Sequence, residues 1–229
     1  MSKNYTNFNL IDVFPTSIGQ SEIYDLEYLN ILKNTIIKEY RDDKDYKVDS
    51  ALGETFDFWQ SNPILHEIPI FSKLINFINE NISKYMDSLG YIYDGFYMTQ
   101  CWANVYKKGM AIHEHNHPNN FLSWVFFISG QDAPLVFTQQ TLSTIQPAVK
   151  FDCLGNSQRI AWKPKAGLLI IWPSYLIHRS LPNKSDELRI TISGNIMLEG
   201  RIGTEENLDF VKLKTEKYKL IDYELKHLK

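Results

Sequence analysis

Residues 113–129 read HEHNHPNNFLSWVFFIS. The second half of this stretch decides the fold class. From Phe121 to Ser129 the residues are aromatic, β-branched or aliphatic, with a Pro-Asn-Asn turn before them and Gly130 after them. Short apolar runs bounded by turn residues read as strands. Four more segments have the same character: YIYDGFYMTQCWANVY (91–106), PLVFTQ (134–139), GLLIIWP (167–173) and LRITISGNIML (188–198). The chain beyond Gly90 is therefore strand-rich.

The part before Gly90 has a different period. LEYLNILKNTIIKEY (26–40) sets Leu29, Leu32, Ile36 and Tyr40 on one helical face, and residues 69–90 do the same with Phe71, Leu74, Ile78, Ile82 and Met86. Pro69 near the start and Gly90 past the end suit helix boundaries. Two helices followed by many short strands predict a mainly β fold with flanking helices, a β-sandwich or jelly roll backed on one side. The polar stretch from Gln139 to Arg159 interrupts the strands and reads as a long loop, of the kind that carries specificity. We place it at the mouth of the site described below.

Composition narrows the function. The 229 residues suit one domain: 44% are hydrophobic, 22% charged and 14% aromatic, and the formal net charge is −3. That balance argues against a general nucleic-acid or membrane surface. The longest apolar run, Ala166 to Trp172, is far short of the ~20 residues a membrane helix needs. The opening MSKNYTNFNLIDVF lacks a signal-peptide core, and the two cysteines, Cys101 and Cys153, make no CxxC pair. These features predict a cytoplasmic protein with reduced thiols. A homo-oligomer stays open.

Half of the six histidines lie in HEHNH. In an extended segment His113, His115 and His117 share a face, with neighbours about 6.8 Å apart along the chain and the outer pair about 13 Å apart. Two adjacent members can share one ion and all three cannot, so a third ligand comes from elsewhere. His178, closing the apolar run before it, is the candidate; His66 and His227 read as solvated bystanders. Arg189 stands inside an otherwise core-like strand. Arginine is seldom buried without an anionic partner, so it pairs with Asp186 or Glu187, sits on an edge, or clamps a carboxylate-bearing ligand. Thr191 shares its face.

Taken in order, VFPT (13–16), CWANVYKKG (101–109), HNHPNNFLSWVFFI (115–128), WPSYLIH (172–178) and PN…LRITISGN (182–195) resemble a bacterial and phage group of iron(II)- and 2-oxoglutarate-dependent oxygenases, distantly similar to prolyl hydroxylases. The resemblance covers most of residues 10–198. It implies a double-stranded β-helix (jelly roll) domain over residues 1–200, with 201–229 as a C-terminal extension. It implies iron(II) on His115, His117 and His178, with His117 where the family usually has aspartate. Arg189 would bind 2-oxoglutarate, with Thr191, Ser123, Asn104 and Tyr106 as further cosubstrate contacts and His113 outside the ligand set. The implied reaction is hydroxylation of a protein side chain or small metabolite, coupled to decarboxylation of 2-oxoglutarate to succinate. The sequence also departs from the group at Trp124, where glycine is usual, and at Phe126 and Phe127, where tyrosines are usual. Against this stand a cupin-like three-histidine dioxygenase, a zinc hydrolase and a non-catalytic jelly-roll binding module. Trp102 and Trp172 read as packing.

Overall fold

The computed structural model describes residues 9, 11–40, 48–49, 55–56, 58–130, 132–140, 147–206 and 210–213. The first half holds β1 (Gly19–Glu22), α1 (Leu26–Glu39), β2 (Val48–Asp49), β3 (Thr55–Phe56), β4 (Trp59–Gln60) and α2 (Ser72–Ser88). Strands then dominate: β5 (Gly95–Tyr106), β6 (Ile112–His115), β7 (Leu122–Ser129), β8 (Leu135–Thr138), β9 (Arg159–Trp162), β10 (Leu168–Pro173), β11 (His178–Ser180), β12 (Arg189–Ile202) and β13 (Val211–Leu213).

Both helices begin and end where local chemistry dictates. Asp25 caps α1 by accepting a 2.9 Å hydrogen bond from the Tyr28 amide, and its other carboxylate oxygen meets Lys73 at 2.6 Å. Tyr40 leaves α1 in an extended conformation and packs edge-on against Trp59. Pro69 opens a 3-10 turn that leads into α2, rather than α2 itself. Gly90 follows α2 with φ +69°, the left-handed region that favours glycine. No helix among the described residues is long and apolar enough to cross a membrane.

Eleven of the described strands form two antiparallel sheets, with a further strand pair apart. The large sheet runs β1-β10-β7-β12-β5-β4, with β13 paired to β12; the small sheet runs β6-β11-β8-β9; β2 and β3 pair separately. Strand alternation assigns the two faces of the large sheet. Cys101, Ala103 and Val105 of β5, Leu122, Trp124, Phe126 and Ile128 of β7, Leu169 and Ile171 of β10, and Ile190, Ile192 and Ile196 of β12 all join one buried cluster with α1 and α2. The helices thus close this face. Full burial of each valine, leucine, isoleucine or phenylalanine among them contributes about 1.5–3 kcal/mol. The residues between them point the other way. Val125, Phe127, Leu168, Ile170 and Trp172 pack with Leu135 and Phe137 of the small sheet. This second layer is the interior of the jelly roll.

The alternation shows why bulk at Trp124 is tolerated. Trp124 and Phe126 face the helices, away from the interior, so neither occupies ligand space. Trp124 lies across β12 opposite Gly194, where a Cβ would come within 2.4 Å of the indole and 2.7 Å of the Gln100 carbonyl. Gly194→Ala is expected to cost roughly 1–3 kcal/mol through overpacking, read as a fall of several degrees in Tm. Trp124→Leu should restore part of the loss in the double variant.

Candidate metal centre

His115 and His178 are direct cross-strand partners on β6 and β11. Their ring centroids are 4.3 Å apart. His117 joins them from just beyond the end of β6, so it does not arrive as the next residue of an extended strand. Its backbone N–H donates to the Ser174 carbonyl at 3.0 Å, and Asn119 turns the chain with φ +63°. The His117 ring stacks on His178 at 5.1 Å and lies 6.0 Å from Trp102. One nitrogen from each of the three rings lies within 4.8 Å of the other two, and this is the one metal-competent group of this kind among the described residues.

Two of the three rings are set by backbone carbonyls. His115 Nδ1 donates to the His113 carbonyl at 2.8 Å, and His178 Nδ1 donates to the Leu176 carbonyl at 2.9 Å. Each bond fixes the proton on Nδ1 and leaves Nε2 as the free lone pair. His113 therefore serves through its backbone, while its side chain is exposed. Glu114 points to the opposite side. It accepts from Thr138 Oγ1 at 2.8 Å and lies 3.8 Å from both Arg159 and Arg179, tying β6 to β8, β9 and β11.

Burial holds the triad neutral. Desolvation lowers the pKa of His115, carries His178 well below the usual histidine value, and brings His117 to about 3, with mutual repulsion adding to the effect on His117 and His178. Neutral imidazoles are the form that binds a metal. A consequence follows for the metal-free protein. Below pH ~6.5 the unfolded chain takes up protons that the folded triad refuses. The stability is fully present above that pH and is lost as pH falls toward the folded values. Denaturation in chelator at pH 7.5 and 5.5 should show this loss. It should be smaller in His117→Gln by up to about 1.4 kcal/mol.

The interior face carries the remaining candidates. Arg189 and Thr191 of β12 stand opposite Tyr106 and Asn104 of β5. Arg189 is 3% exposed, and β12 is central in the sheet. Asp186 pairs with Lys108 instead, and no carboxylate among the described residues meets Arg189. Its guanidinium lies 4.7 Å over the Tyr106 ring and 5.9 Å from Phe127, while Phe58 stacks on Tyr106 at 4.9 Å. Aromatic faces stabilise a desolvated cation by up to about 2 kcal/mol. They accept no conventional hydrogen bond from it: Nε and Nη1 are buried without a partner among the described residues, as is Asn104 Oδ1. Burial raises the Tyr106 pKa to about 12, so its phenol stays protonated. Gly130, with φ +85°, packs against Arg189, whose Cβ would meet a side chain there at 2.5 Å.

Ser123, one of the expected cosubstrate contacts, is buried among polar neighbours. Its hydroxyl donates to Asn195 Oδ1 at 2.9 Å. The 2.8 Å contact between Ser123 Oγ and Ser174 Oγ then takes its proton from Ser174. The three buried residues join β7 and β12 to the turn whose Ser174 carbonyl holds His117. Neither Asn195, inside an apolar strand, nor Ser174, in the turn after one, had a signal of its own in the sequence. The long loop has its base at the same end: Thr138 N–H donates to Ile177 O, and the Gln140 amide donates to Tyr175 O. Residues 141–146 lie outside the described residues.

Residues 100–195 match a family model described as "Putative 2OG-Fe(II) oxygenase". No curated protein sequence matches. Among solved structures, the fold is similar to three in particular. The non-heme α-ketoglutarate-dependent epimerase SnoN of nogalamycin biosynthesis has a TM-score of 0.58 at 11% identity, over 80% of this chain and 76% of that one. A Pseudomonas putida prolyl-4-hydroxylase has 0.54 at 13% identity, over 80% and 93%. HygX from Streptomyces hygroscopicus, solved with nickel and 2-oxoglutarate bound, has 0.55 at 10% identity, over 80% and 83%. At such identities the likeness concerns the fold.

Proposed function

We propose that this chain, a member of the 2OG-Fe(II) oxygenase family through residues 100–195, is an iron(II)- and 2-oxoglutarate-dependent hydroxylase. The carrying observation is Arg189, a buried guanidinium with two nitrogens unpaired among the described residues, in the interior that also presents three neutral imidazoles. A cupin-like dioxygenase or a zinc hydrolase requires the imidazoles and leaves the arginine without a purpose. A dicarboxylate cosubstrate requires both. The donor set fits iron(II), for which imidazole is a suitable ligand, and the unpaired guanidinium fits a carboxylate.

In this reading His115, His117 and His178 hold the metal, and Arg189 binds the distal carboxylate. Bound together, iron(II) and 2-oxoglutarate activate dioxygen, so that oxidative decarboxylation to succinate and carbon dioxide accompanies hydroxylation of a substrate C–H bond. The chain's own residues position and shield. The carbonyls of His113 and Leu176 orient two imidazoles, while Ser174 fixes the backbone of the third. Tyr106 and Phe127 keep the Arg189 guanidinium in place. Thr191 and Asn104 add a hydroxyl and an amide beside it. Phe137, Trp172 and Trp102 make an apolar wall around the triad, which limits access of water.

The start of the loop after β8 is anchored next to Tyr175 and Ile177, which supports a role for this loop in the substrate wall. We take residues 1–200 as one domain and 201–229 as an extension of it rather than a domain of its own, a reading supported by β12 running unbroken from Arg189 to Ile202. The test is succinate formation in aerated buffer. It should require both iron(II) and 2-oxoglutarate, and proceed slowly without a second substrate. Absence of succinate with the metal demonstrably bound would refute the oxygenase reading.

A further inference from the structure

Two of the five tryptophans are buried with an indole N–H that no group among the described residues accepts: Trp124, 1% exposed, and Trp172, 2% exposed. An unpaired buried donor costs about 1–3 kcal/mol. Native proteins normally meet that cost with a bound water or a ligand. The two indoles lie on neighbouring strands but on opposite faces of the large sheet. Trp124 is packed among the helix-facing residues. Trp172 lies in the interior layer, its ring 4.8 Å from His178 and 5.4 Å from Phe137. It is therefore the orphan donor that adjoins the metal ligands.

The nature of the missing partner follows from the other groups there. An indole nitrogen can only donate. The unpaired atoms of Arg189 are also donors, and they belong to the far part of β12, six residues before Asn195. Asn195 is the partner of Ser123, which in turn is the partner of Trp172. Trp172 thus serves the histidine end of the interior and Arg189 the other end. Two separated donor positions suit a molecule with an anionic group at each end.

We propose that Trp172 Nε1–H is a second anchor for the cosubstrate, donating to an oxygen of the 2-oxo acid end while Arg189 takes the distal carboxylate. This rests on the oxygenase reading above. A phenylalanine at position 172 would keep an aromatic ring against His178 and could not make this bond, so the donor is a property of this chain's own residue.

The test uses the full-length protein labelled with 15N-tryptophan and loaded with zinc(II), which is diamagnetic. Addition of 2-oxoglutarate should shift one of the indole N–H resonances downfield and slow its exchange with water. That resonance should be missing in Trp172→Phe and present in Trp124→Phe. Calorimetry on nickel(II)-loaded protein should show 2-oxoglutarate binding weakened about tenfold or more in Trp172→Phe, as expected for a hydrogen bond to a charged group. Nickel affinity should be unchanged, and Trp124→Phe should bind both normally. Binding to the wild type with every indole unmoved overturns the anchor, and so does an unchanged 2-oxoglutarate Kd in Trp172→Phe. These outcomes would assign the N–H to a buried water. If Trp172→Phe does not fold, the wild-type spectrum decides by itself. Wild-type protein that takes up metal and no 2-oxoglutarate overturns the oxygenase reading, and this anchor with it.

Discussion

Replacing His178 with alanine is expected to weaken binding of iron(II), or of nickel(II) as a redox-inert probe, by more than about a hundredfold. Loss of groups that merely support metal ligands already costs about 10–100-fold. His178 is more than a support: its ring is 4.3 Å from that of His115, and its Nδ1 proton is committed to the Leu176 carbonyl. Removal leaves two imidazoles, one of which, His117, has no ring hydrogen bond to any described residue. Calorimetric titration with metal reads the loss. Circular dichroism and Tm should show that the fold survives, because Trp172 and Phe137 continue to pack with the interior layer. The choice within HEHNH is tested beside it. His113→Ala should bind metal normally, since the backbone carbonyl that orients His115 is kept. His117→Ala should bind poorly, and His117→Asp should retain metal through the carboxylate that replaces the ring. Metal binding lost in His113→Ala and kept in His117→Ala would exchange the two assignments.

Arg189→Lys is expected to weaken 2-oxoglutarate binding about 10–100-fold and to leave metal affinity unchanged. The lysine keeps the charge but loses the planar fork that engages a carboxylate with two parallel bonds. A hydrogen bond between charged groups contributes roughly 1.5–3 kcal/mol, which sets that range. Lysine also gives up the planar stacking on Tyr106 and Phe127. Titration of the nickel-loaded variant with 2-oxoglutarate measures the effect. Succinate formation should fall at low cosubstrate concentration and recover in part when 2-oxoglutarate is raised. An unchanged Kd would make Arg189 a structural cation held by its aromatic neighbours and would remove the best argument for a dicarboxylate.

Periodicity made much of this molecule legible. The helical stripes of residues 26–40 and 69–90 are the faces that α1 and α2 bury, with Leu29, Leu32, Ile36, Leu74, Ile78, Ile82 and Met86 all in the cluster against the large sheet. The apolar runs beyond Gly90 are strands, and the match of residues 100–195 agrees with the family resemblance. Periodicity was less informative within HEHNH. Strand alternation alone gives His113, His115 and His117 equal standing, but β6 stops at His115 and the chain turns. His117 is placed by the Ser174 carbonyl, 57 residues later in sequence, which no local pattern announces. Ser123 illustrates the same limit. Its hydrogen bond to Asn195 across the sheet joins residues 72 apart, which no local pattern announces.

The sequence by itself determined the order of helices and strands and the chemistry available: imidazoles at two separated places, and an arginine within an apolar strand. Those follow from side-chain type and spacing along one chain, because burial of an apolar face selects period 3.6 or period 2 locally. Only the tertiary structure decided which face each residue serves. It set His178 opposite His115 by antiparallel register, sent Trp124 to the helices and Trp172 to the interior, and gave Arg189 aromatic rings in place of a carboxylate partner. The physical reason is that a shift of one residue in strand register reverses every side chain. That register is fixed by the summed packing of strands distant in sequence, not by any one of them.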